Sequence, residues 1–250
     1  MKSLFEIFKK KPLETPEKMS LDWLEVDMHS HLIPGIDDGS KSLEESLELI
    51  KRLESYGLRK IITTPHVMSE YYRNTPEIIL GGLEELKFAM KISGIEIEID
   101  AAAEYFIDEL FLDKIRKGEK PLSFGNGHVL VETGFMNKPQ MLFEVFFELE
   151  LLGFTPILAH PERYQYLIAD KALQTELLDR EVYFQVNMLS FTGFYSKAVK
   201  TFAEMLVDEG KIKMLGTDCH NHRYLDMLES LPNVKYYNKI KNLDLLNRIL

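Results

Sequence analysis

From Trp23 onward, short apolar runs alternate with longer amphipathic stretches. A short apolar run is typical of a buried strand, whereas apolar residues three and four positions apart mark one face of a helix. On this basis strands are predicted at residues 23–26, 60–63, 95–100, 128–131, 155–158, 182–186 and 212–215. Helices are predicted at residues 42–56, from Thr75-Pro76 to Gly94, and at residues 139–152 and 197–209.

The ends of these helices carry recognisable signals. Ser42 with Glu45 has the pattern of a capping box, and Pro76 suits a first helical turn. Glycines follow the helical stretches, where they favour termination. Strands that alternate with helices predict a parallel sheet with right-handed crossovers, and seven strands favour an α/β barrel close to the eight-stranded type. An open doubly wound sheet is the alternative, and both folds bind ligands at the carboxyl ends of their strands.

Length and composition restrict the protein class. The 250 residues suit one barrel domain, and the formal net charge of −10 argues against a nucleic-acid partner. The single cysteine, Cys219, excludes an intramolecular disulfide framework. The apolar runs are too short to span a bilayer, so we expect a cytoplasmic location.

The first residues predict an extension before the main domain. Residues 1–20 combine Leu4, Phe5, Ile7 and Phe8 with the basic run of residues 9–11, and residues 21–250 form the predicted domain. This pattern favours a terminal helix and linker, with weak peripheral contact to the inner face of a membrane as the alternative.

Imidazoles and carboxylates recur where the predicted strands end. The segments are Asp27-Met28-His29-Ser30-His31, Asp37-Asp38-Gly39, Thr64-Pro65-His66, Ala103-Glu104-Tyr105, Val131-Glu132-Thr133, Ala159-His160-Pro161-Glu162-Arg163 and Thr217-Asp218-Cys219-His220. Side chains of these types bind Zn, Mn and Fe.

Each of these segments has an ordinary structural explanation when taken alone. A His-x-His pair can be incidental, Asp-Asp-Gly is common turn chemistry, and a carboxylate after an apolar run often pairs with Lys or Arg. Together, however, the donors are too many for one ion, and uncompensated carboxylates would repel one another. We therefore expect two or three bridged ions at one end of a barrel. Asp27, on the predicted face of His29, is expected to orient an imidazole and is grouped with the catalytic residues.

In this order and spacing, these motifs resemble the PHP (polymerase and histidinol phosphatase) superfamily, from about Leu21 to the C-terminus. Within it, the chain is most similar to the bacterial manganese-dependent protein-tyrosine phosphatases of capsular and exopolysaccharide loci.

The resemblance implies a distorted seven-stranded (β/α)7 TIM-like barrel with three divalent ions, Mn first and Fe, Zn or Co as alternatives. It implies one ion held by His29, His31, Glu104 and Asp218. A second would be held by Glu104, Glu132 and His160, and a third by Asp38, His66 and His220. It also implies that Arg163 binds the substrate phosphate and that Arg223 is a second phosphate contact.

The expected reaction is hydrolysis of a phosphomonoester by metal-activated hydroxide. The resemblance implies a phosphotyrosine protein as the substrate, specifically a bacterial tyrosine autokinase that controls polysaccharide export. His222 is a candidate general acid, although an exposed loop histidine is the favoured interpretation. A cysteine phosphatase is disfavoured because Leu225 occupies the position of the arginine that such a loop requires.

Three alternatives remain open at this stage. The first is a small-molecule phosphatase such as histidinol phosphatase, since the motifs do not reveal substrate size. The second is a DNA 3′-end nuclease, which the acidic balance disfavours. The third is a metal-stabilised scaffold without turnover, which the completeness of the ligand set disfavours.

Overall fold

The computed structural model describes residues 18–180 and 182–250. Most of the predicted extension, residues 1–17, lies outside the described residues. The strands are β1 (Val26–Asp27), β2 (Lys60–Thr63), β3 (His66–Val67), β4 (Glu98–Ala101), β5 (Glu104–Phe106), β6 (His128–Glu132), β7 (Thr155–Ala159), β8 (Tyr183–Asn187) and β9 (Ile212–Gly216).

Helices follow most of the strands along the chain. They are α1 (Leu43–Ser55), α2 (Pro76–Ile92), α3 (Glu109–Arg116), α4 (Leu142–Leu151), α5 (Gln165–Ala169), α6 (Lys171–Asp179), α7 (Lys197–Asp208), α8 (His222–Leu228) and α9 (Tyr237–Lys241). Short 3-10 turns occur at Pro161–Arg163, Met188–Thr192, Leu231–Asn233 and Leu246–Ile249.

All of the strand pairs in the two sheets are parallel. The first sheet has the order β1-β2-β4 and the second has the order β3-β5-β6-β7-β8-β9. The predicted α/β fold with parallel strands is therefore confirmed. Because the strands are parallel, their carboxyl ends lie on one side of the molecule.

The two sheets are joined by interrupted strands. Thr64 and Pro65 separate β2 from β3, and Ala102 and Ala103 separate β4 from β5. Backbone hydrogen bonds continue across these breaks, from Ala102 N to Thr63 O (2.9 Å) and from Glu104 N to Pro65 O (3.1 Å). The interruptions therefore redirect the chain without separating the strands.

The segment after β1 also contacts the segment after β9. Asp218 N donates to His29 O at 2.8 Å, His31 N donates to Cys219 O at 2.9 Å, and Ser30 bridges to Cys219 in parallel. Gly216 permits this approach, because a Cβ there would lie 2.6 Å from the Cβ of His29 and 2.9 Å from Nε2 of Gln185. The first and last strand segments are therefore neighbours at their carboxyl ends.

Apolar side chains form two core clusters among the described residues. The larger one includes the buried faces of the helices, such as Leu49 and Leu53 of α1. The smaller one contains inward strand residues, such as Leu130 and Met214, together with Phe124. Val129 and Val131 belong to the larger cluster and Leu130 to the smaller one, as expected when alternate residues of a strand face opposite sides.

The four predicted helices are confirmed as α1, α2, α4 and α7, although α4 begins at Leu142 rather than at Pro139. Ser42 caps α1 by accepting from Glu45 N at 3.2 Å, while the Glu45 carboxylate accepts from Lys41 N at 2.8 Å rather than from Ser42 N. Helices α3, α5, α6, α8 and α9 were not predicted.

Two strand predictions were misplaced. The first strand begins at Val26, because Trp23 lies in a turn in which its indole N–H donates to Ser20 O at 3.0 Å. The strand predicted at residues 95–100 is β4, which begins at Glu98 because Glu96 N and Ile97 N donate to the Glu54 carboxylate of α1.

Among the described residues, no helix has the length and apolar character needed to cross a membrane.

Gly216→Ala should destabilise the fold by about 1–3 kcal/mol, because the new methyl group would push β9 away from the His29 segment. Urea unfolding monitored by circular dichroism measures this change. The control is Gly81→Ala in α2, where a Cβ meets no atom within 4 Å and alanine should instead stabilise by about 0.5–1 kcal/mol. Equal stability of Gly216→Ala and the parent would contradict the close packing.

Candidate metal centre

The nine predicted metal ligands lie together at the carboxyl ends of the strands. All are buried except Asp38, whose side chain is 52% exposed. Their nitrogen and oxygen atoms form a continuous network of short contacts, through which the structure brings the whole predicted set together.

Local backbone geometry directs two of these side chains. Ile157 and Ala159 of β7 face the smaller core, so strict alternation would turn His160 to the opposite side. His160 instead has a left-handed backbone with φ of 32°, and Asp218 likewise has φ of 52°. Non-glycine residues rarely adopt this conformation, which is concentrated at functional sites. The two strained positions direct a histidine and an aspartate toward the cluster.

One group of potential ligand atoms comes from His31, Asp38, His66 and His220, all within 4.8 Å of one another. Asp38 Oδ1 lies 3.4 Å from His66 Nε2 and 3.5 Å from His220 Nε2. The rings of His31 and His220 stack with centroids 4.0 Å apart.

A second group consists of His29, His31 and Glu104. The Nε2 atoms of the two histidines are 3.4 Å apart, and Glu104 Oε2 is 3.1 Å from that of His29. Asp218 Oδ1 lies 3.4 Å from both nitrogens, so this carboxylate borders the same space.

The third group consists of His66, Glu104 and Glu132. His66 Nδ1 is 2.8 Å from Glu132 Oε1 and 3.2 Å from Glu104 Oε2. His160 approaches from the other side, with its Nε2 2.9 Å from Glu104 Oε1 and 4.0 Å from Glu132 Oε2. Glu104 is shared between groups, as a bridging ligand would be.

This grouping differs from the implied one in three respects. Asp218 borders the group of His29, His31 and Glu104 without belonging to it. His31 also joins the group of His66 and His220, and His66 rather than His160 forms the compact group with Glu104 and Glu132. The segments of His31 and His66 are adjacent, because Thr64 N donates to Ser30 O at 2.7 Å, and this adjacency explains the difference.

The charges within the cluster are strongly coupled. Burial alone lowers the pKa of His66, but the carboxylates of Glu104 and Glu132 outweigh it and raise that pKa to about 9. Burial alone raises the pKa of Glu104, but His29 and His66 hold it well below its usual range. Protons on the imidazoles therefore balance the buried carboxylates when no other cation does so. A divalent ion would supply the same charge and leave the imidazoles in the neutral form that binds metals.

Two potential ligand atoms in the cluster have no hydrogen-bond partner among the described residues. They are His66 Nδ1 and Glu132 Oε1, both buried. The 2.8 Å contact between His66 and Glu132 is not aligned as a hydrogen bond. Because a buried polar atom without a partner costs free energy, such atoms indicate a missing ligand. The mixed nitrogen and oxygen set fits a divalent transition metal.

Polar residues behind the cluster orient its imidazoles. Gln185 Oε1 lies 2.7 Å from His29 Nδ1, and Asp37 Oδ2 lies 2.8 Å from His31 Nδ1. Since each acceptor oxygen accepts a hydrogen bond from Nδ1–H of a neutral ring, the Nε2 lone pair of that ring is left free to face the cluster. Asp37 was recognised only as a turn carboxylate.

Gln185 and Asn187 were missed. Gln185 Nε2 donates to Asn187 Oδ1 at 3.0 Å, and Asn187 Nδ2 donates to Asp218 Oδ2 at 2.6 Å. Both polar side chains are fully buried in β8, where Gln185 lies between the apolar residues Phe184 and Val186 and Asn187 follows Val186. Their alternation with apolar residues was the available sequence signal.

Arg163 reaches the edge of the cluster. Its Nη1 donates to Asp218 Oδ2 at 3.0 Å, and its guanidinium carbon lies 4.5 Å from the centroid of Phe135 and 4.4 Å from that of Tyr195. The guanidinium thus packs against two aromatic rings, and its side chain remains 19% exposed. This arrangement fixes the plane of a planar hydrogen-bond donor beside the cluster.

Two further predicted residues lie on α8. Arg223 is exposed on α8 with its guanidinium over the ring of Phe194 at 5.3 Å. His222 pairs with Glu48, 3.2 Å away, which supports its interpretation as an ordinary surface histidine.

The expectation that Asp27 orients an imidazole is wrong. Its carboxylate accepts from Thr217 N at 2.9 Å and from the Thr217 hydroxyl, and its contact with His29 is to the backbone N–H. Burial raises the pKa of Asp27 to about 6 against these hydrogen bonds. Asp27 therefore fastens the β9 end to the β1 end.

Cys219 is fully buried, and burial raises the pKa of its thiol well above the usual range. Since the thiolate is the reactive form of cysteine, this thiol is unsuited to nucleophilic chemistry.

Gln185→Leu should weaken binding of Mn²⁺ by about 10- to 100-fold, because it removes the acceptor that orients His29. Isothermal titration calorimetry of protein stripped of metal measures the affinity. Gln174→Leu is the control, since this buried glutamine donates to the Leu167 carbonyl away from the cluster. Equal losses of affinity in the two variants would contradict a specific role for Gln185.

Comparisons with known proteins agree with this geometry. The model of a family described as capsular polysaccharide synthesis, CpsB/CapC, matches residues 25–241. The tyrosine-protein phosphatase YwqE of Bacillus subtilis is 26% identical over 196 residues, covering 78% of this chain and 77% of its own. The tyrosine-protein phosphatase CpsB of Streptococcus pneumoniae is 27% identical over 201 residues, covering 78% and 83%.

The fold is also found in a solved structure. A chain from the crystal structures of YwqE and CpsB, described as unique metal-dependent tyrosine phosphatases, superposes with a TM-score of 0.76 at 24% identity. The match covers 86% of this chain and 89% of that one. The resemblance to phosphatases of capsular loci is thereby confirmed at the level of the family: the chain belongs to the CpsB/CapC family of capsular polysaccharide synthesis.

Proposed function

We propose that this protein is a metal-dependent phosphatase that hydrolyses phosphotyrosine in a protein of polysaccharide synthesis. The observation that carries the proposal is the convergence of five imidazoles and four carboxylates beside Arg163, which pairs with Asp218. Relatives named tyrosine-protein phosphatases support the reaction type, and the family description supports the biological setting.

Three ions would account for the nine donors. The proposed sets are His29, His31, Glu104 and Asp218; Glu104, Glu132 and His160; and Asp38, His66 and His220. His66 contacts Asp38 through Nε2 and Glu132 through Nδ1. A neutral imidazole has one free lone pair, so His66 would serve a single ion. We propose Mn²⁺ as the physiological metal, with Fe, Zn or Co compatible with the same donors.

When bound, such ions would lower the pKa of a water molecule enough to provide hydroxide near neutral pH, and would neutralise charge on the phosphate. Arg163 would bind the non-bridging phosphate oxygens. Phe135 and Tyr195 hold the guanidinium in one plane, so little reorganisation is needed when a phosphate arrives. Fixed donors of this kind stabilise charge most effectively where water is excluded.

Aromatic residues at the mouth of the cluster favour an aryl substrate. Phe135 is 41% exposed and its ring lies 6.0 Å from that of His160, while Tyr72 stacks on His66 at 5.6 Å. These rings offer apolar contact to a tyrosine side chain. The phenolate of tyrosine has a pKa near 10, so it leaves with less help from a general acid than an alkoxide would. A small requirement for a general acid is consistent with the pairing of His222 with the surface residue Glu48.

We further propose that the two sheets form one distorted seven-stranded barrel, in which β2 continues as β3 and β4 as β5. The hydrogen bonds between the His29 and Asp218 segments support closure. Residues 21–250 would be the phosphatase domain and residues 1–20 an extension. The substrate would be a tyrosine autokinase at the inner membrane face, reached from the cytoplasm.

Removal of metal should abolish hydrolysis of a phosphotyrosyl peptide, and Mn²⁺ should restore it. Alkylation of the thiol should not inactivate the folded enzyme, because Cys219 is buried. Elemental analysis, with phosphate release measured before and after chelation, tests both statements. Histidinol phosphate serves as the comparison substrate, and faster release from it would contradict the choice of substrate.

Glu104→Ala should lower both bound metal and hydrolysis to background in the same assays, because it removes the shared carboxylate. The control Glu84→Ala changes an exposed carboxylate of α2 and should behave like the parent. Activity without metal would contradict the proposed mechanism.

Arg163→Ala should lower kcat/KM for the phosphotyrosyl peptide by roughly 100-fold without changing metal content, because a fixed donor to the phosphate is lost. Steady-state kinetics with elemental analysis tests this. Arg59→Ala is the control, since Arg59 is an exposed arginine near Glu25. Arg223→Ala tests the second phosphate contact, and kinetics like those of the control would remove Arg223 from the site.

A further inference from the structure

A groove lies beside the metal centre, on the outer side of β3 and β5. It occupies about 360 Å³ and is lined by Val67, Met68, Arg73, Tyr105, Phe111 and Lys114. A smaller cavity of about 50 Å³ shares Val67, Tyr105, Phe111 and Lys114 and continues the groove along α3. We call the two together the lateral groove.

The lateral groove is connected to the metal centre by the strands themselves. His66 pairs with Glu104 and the next residues, Val67 and Tyr105, pair in the same register. Since neighbouring residues of a strand face opposite sides, the first pair faces the metal centre and the second faces the groove. The two sites are one strand layer apart.

The loop between β3 and α2 contributes to both sites. Tyr72 stacks on the ring of His66, whereas the following residue, Arg73, lines the groove. The loop is anchored at both sides, because Asn74 Nδ2 donates to His66 O at 2.8 Å and Ser69 N donates to the Asp108 carboxylate at 3.3 Å. A polypeptide lying across this loop would meet both sites.

Two cations of the groove are uncompensated. Arg73 donates its Nε–H to Ser69 O at 2.9 Å, and neither Arg73 nor Lys114 has a carboxylate within 4.0 Å among the described residues. The groove is also lined by the carboxylates of Asp108 and Glu119 and by Lys120, so three cations and two carboxylates leave it with one net positive charge. The Asp108 carboxylate accepts from Ser69 N and Phe111 N. In a chain with a net charge of −10, this excess of positive charge favours an acidic partner.

The floor of the groove is apolar. Phe111 stacks on Tyr105 with centroids 4.6 Å apart, and Leu110 at the edge is 49% exposed. A free phosphate or a metabolite would leave this surface wet, whereas a peptide with an acidic side chain next to an apolar one would cover it and pair with the two cations.

We propose that the lateral groove binds an acidic and apolar stretch of the substrate polypeptide next to its phosphotyrosine. This inference rests on the proposed function and specifies its substrate. Arg73 and Lys114 act as specificity residues that contact the flanking sequence and take no part in the reaction. Because the two sites lie on opposite faces of one strand layer, the contacted side chains are those within a few positions of the phosphotyrosine.

The experiment compares two phosphotyrosyl peptides of equal length. One carries Glu and Leu near the phosphotyrosine, and the other carries Lys and Leu at the same positions. A third substrate, p-nitrophenyl phosphate, has no flanking residues. The wild-type enzyme should prefer the acidic peptide. The double variant Arg73→Glu with Lys114→Glu should lower kcat/KM for the acidic peptide by roughly five- to tenfold, mainly by raising KM. It should also improve hydrolysis of the lysine peptide. High salt should diminish both effects.

The matched control is Lys51→Glu with Lys91→Glu, which reverses two exposed charges on α1 and α2 and alters the net charge equally. Unchanged peptide preference in the groove variant, or an equal change in the control, would overturn the proposal. Failure of the wild-type enzyme to hydrolyse p-nitrophenyl phosphate and both peptides would instead reject the proposed function. Hydrolysis of p-nitrophenyl phosphate should stay within about twofold in both variants, which shows that they fold.

Discussion

The structure depends on the compensation of buried charge at one end of its parallel strands. Burial of a carboxylate or a protonated imidazole is unfavourable unless opposite charge lies close by. Here Glu104 is fully buried and meets His29, His66 and His160 within 3.2 Å. Protonated imidazoles balance this charge when no other cation does so, and His66 Nδ1 and Glu132 Oε1 beside it have no hydrogen-bond partner among the described residues. Divalent ions would supply the same positive charge and would thereby couple metal binding to the stability of this region.

The interruptions of the strands lie near this same end of the molecule. A regular strand presents only every second side chain to one face. Regular strands alone would therefore direct fewer metal-binding side chains toward one site. The breaks at Thr64-Pro65 and Ala102-Ala103, and the left-handed residues His160 and Asp218, depart from that regularity immediately before or at a donor. The backbone irregularities therefore orient the donor side chains, and the regular parts of the strands pack into the core that holds them in place.

A second set of residues determines how the donors are presented. Gln185 and Asp37 accept hydrogen bonds from Nδ1 of His29 and His31, and Asn187 donates to Asp218 in turn. Arg163 is held by aromatic contacts as well as by charge, since its guanidinium carbon lies 4.5 Å from the centroid of Phe135 and 4.4 Å from that of Tyr195. Beyond this centre, the loop from Met68 to Asn74 contacts both sites, since Tyr72 stacks on His66 and Arg73 lines the lateral groove.

The sequence by itself determined the alternation of strands and helices and the donors at the strand ends, because hydrophobic period and residue type are local properties. It indicated the family through the resemblance of its ordered motifs. It misplaced the first strand, where Asp22 and Ser20 form a turn around Trp23, and it misassigned Asp27, whose partner Thr217 is 190 residues away. Only the tertiary structure decided which donors share a group, which polar residues orient them and where a groove opens. Those properties depend on distances between segments far apart in the chain, and no local pattern encodes such distances.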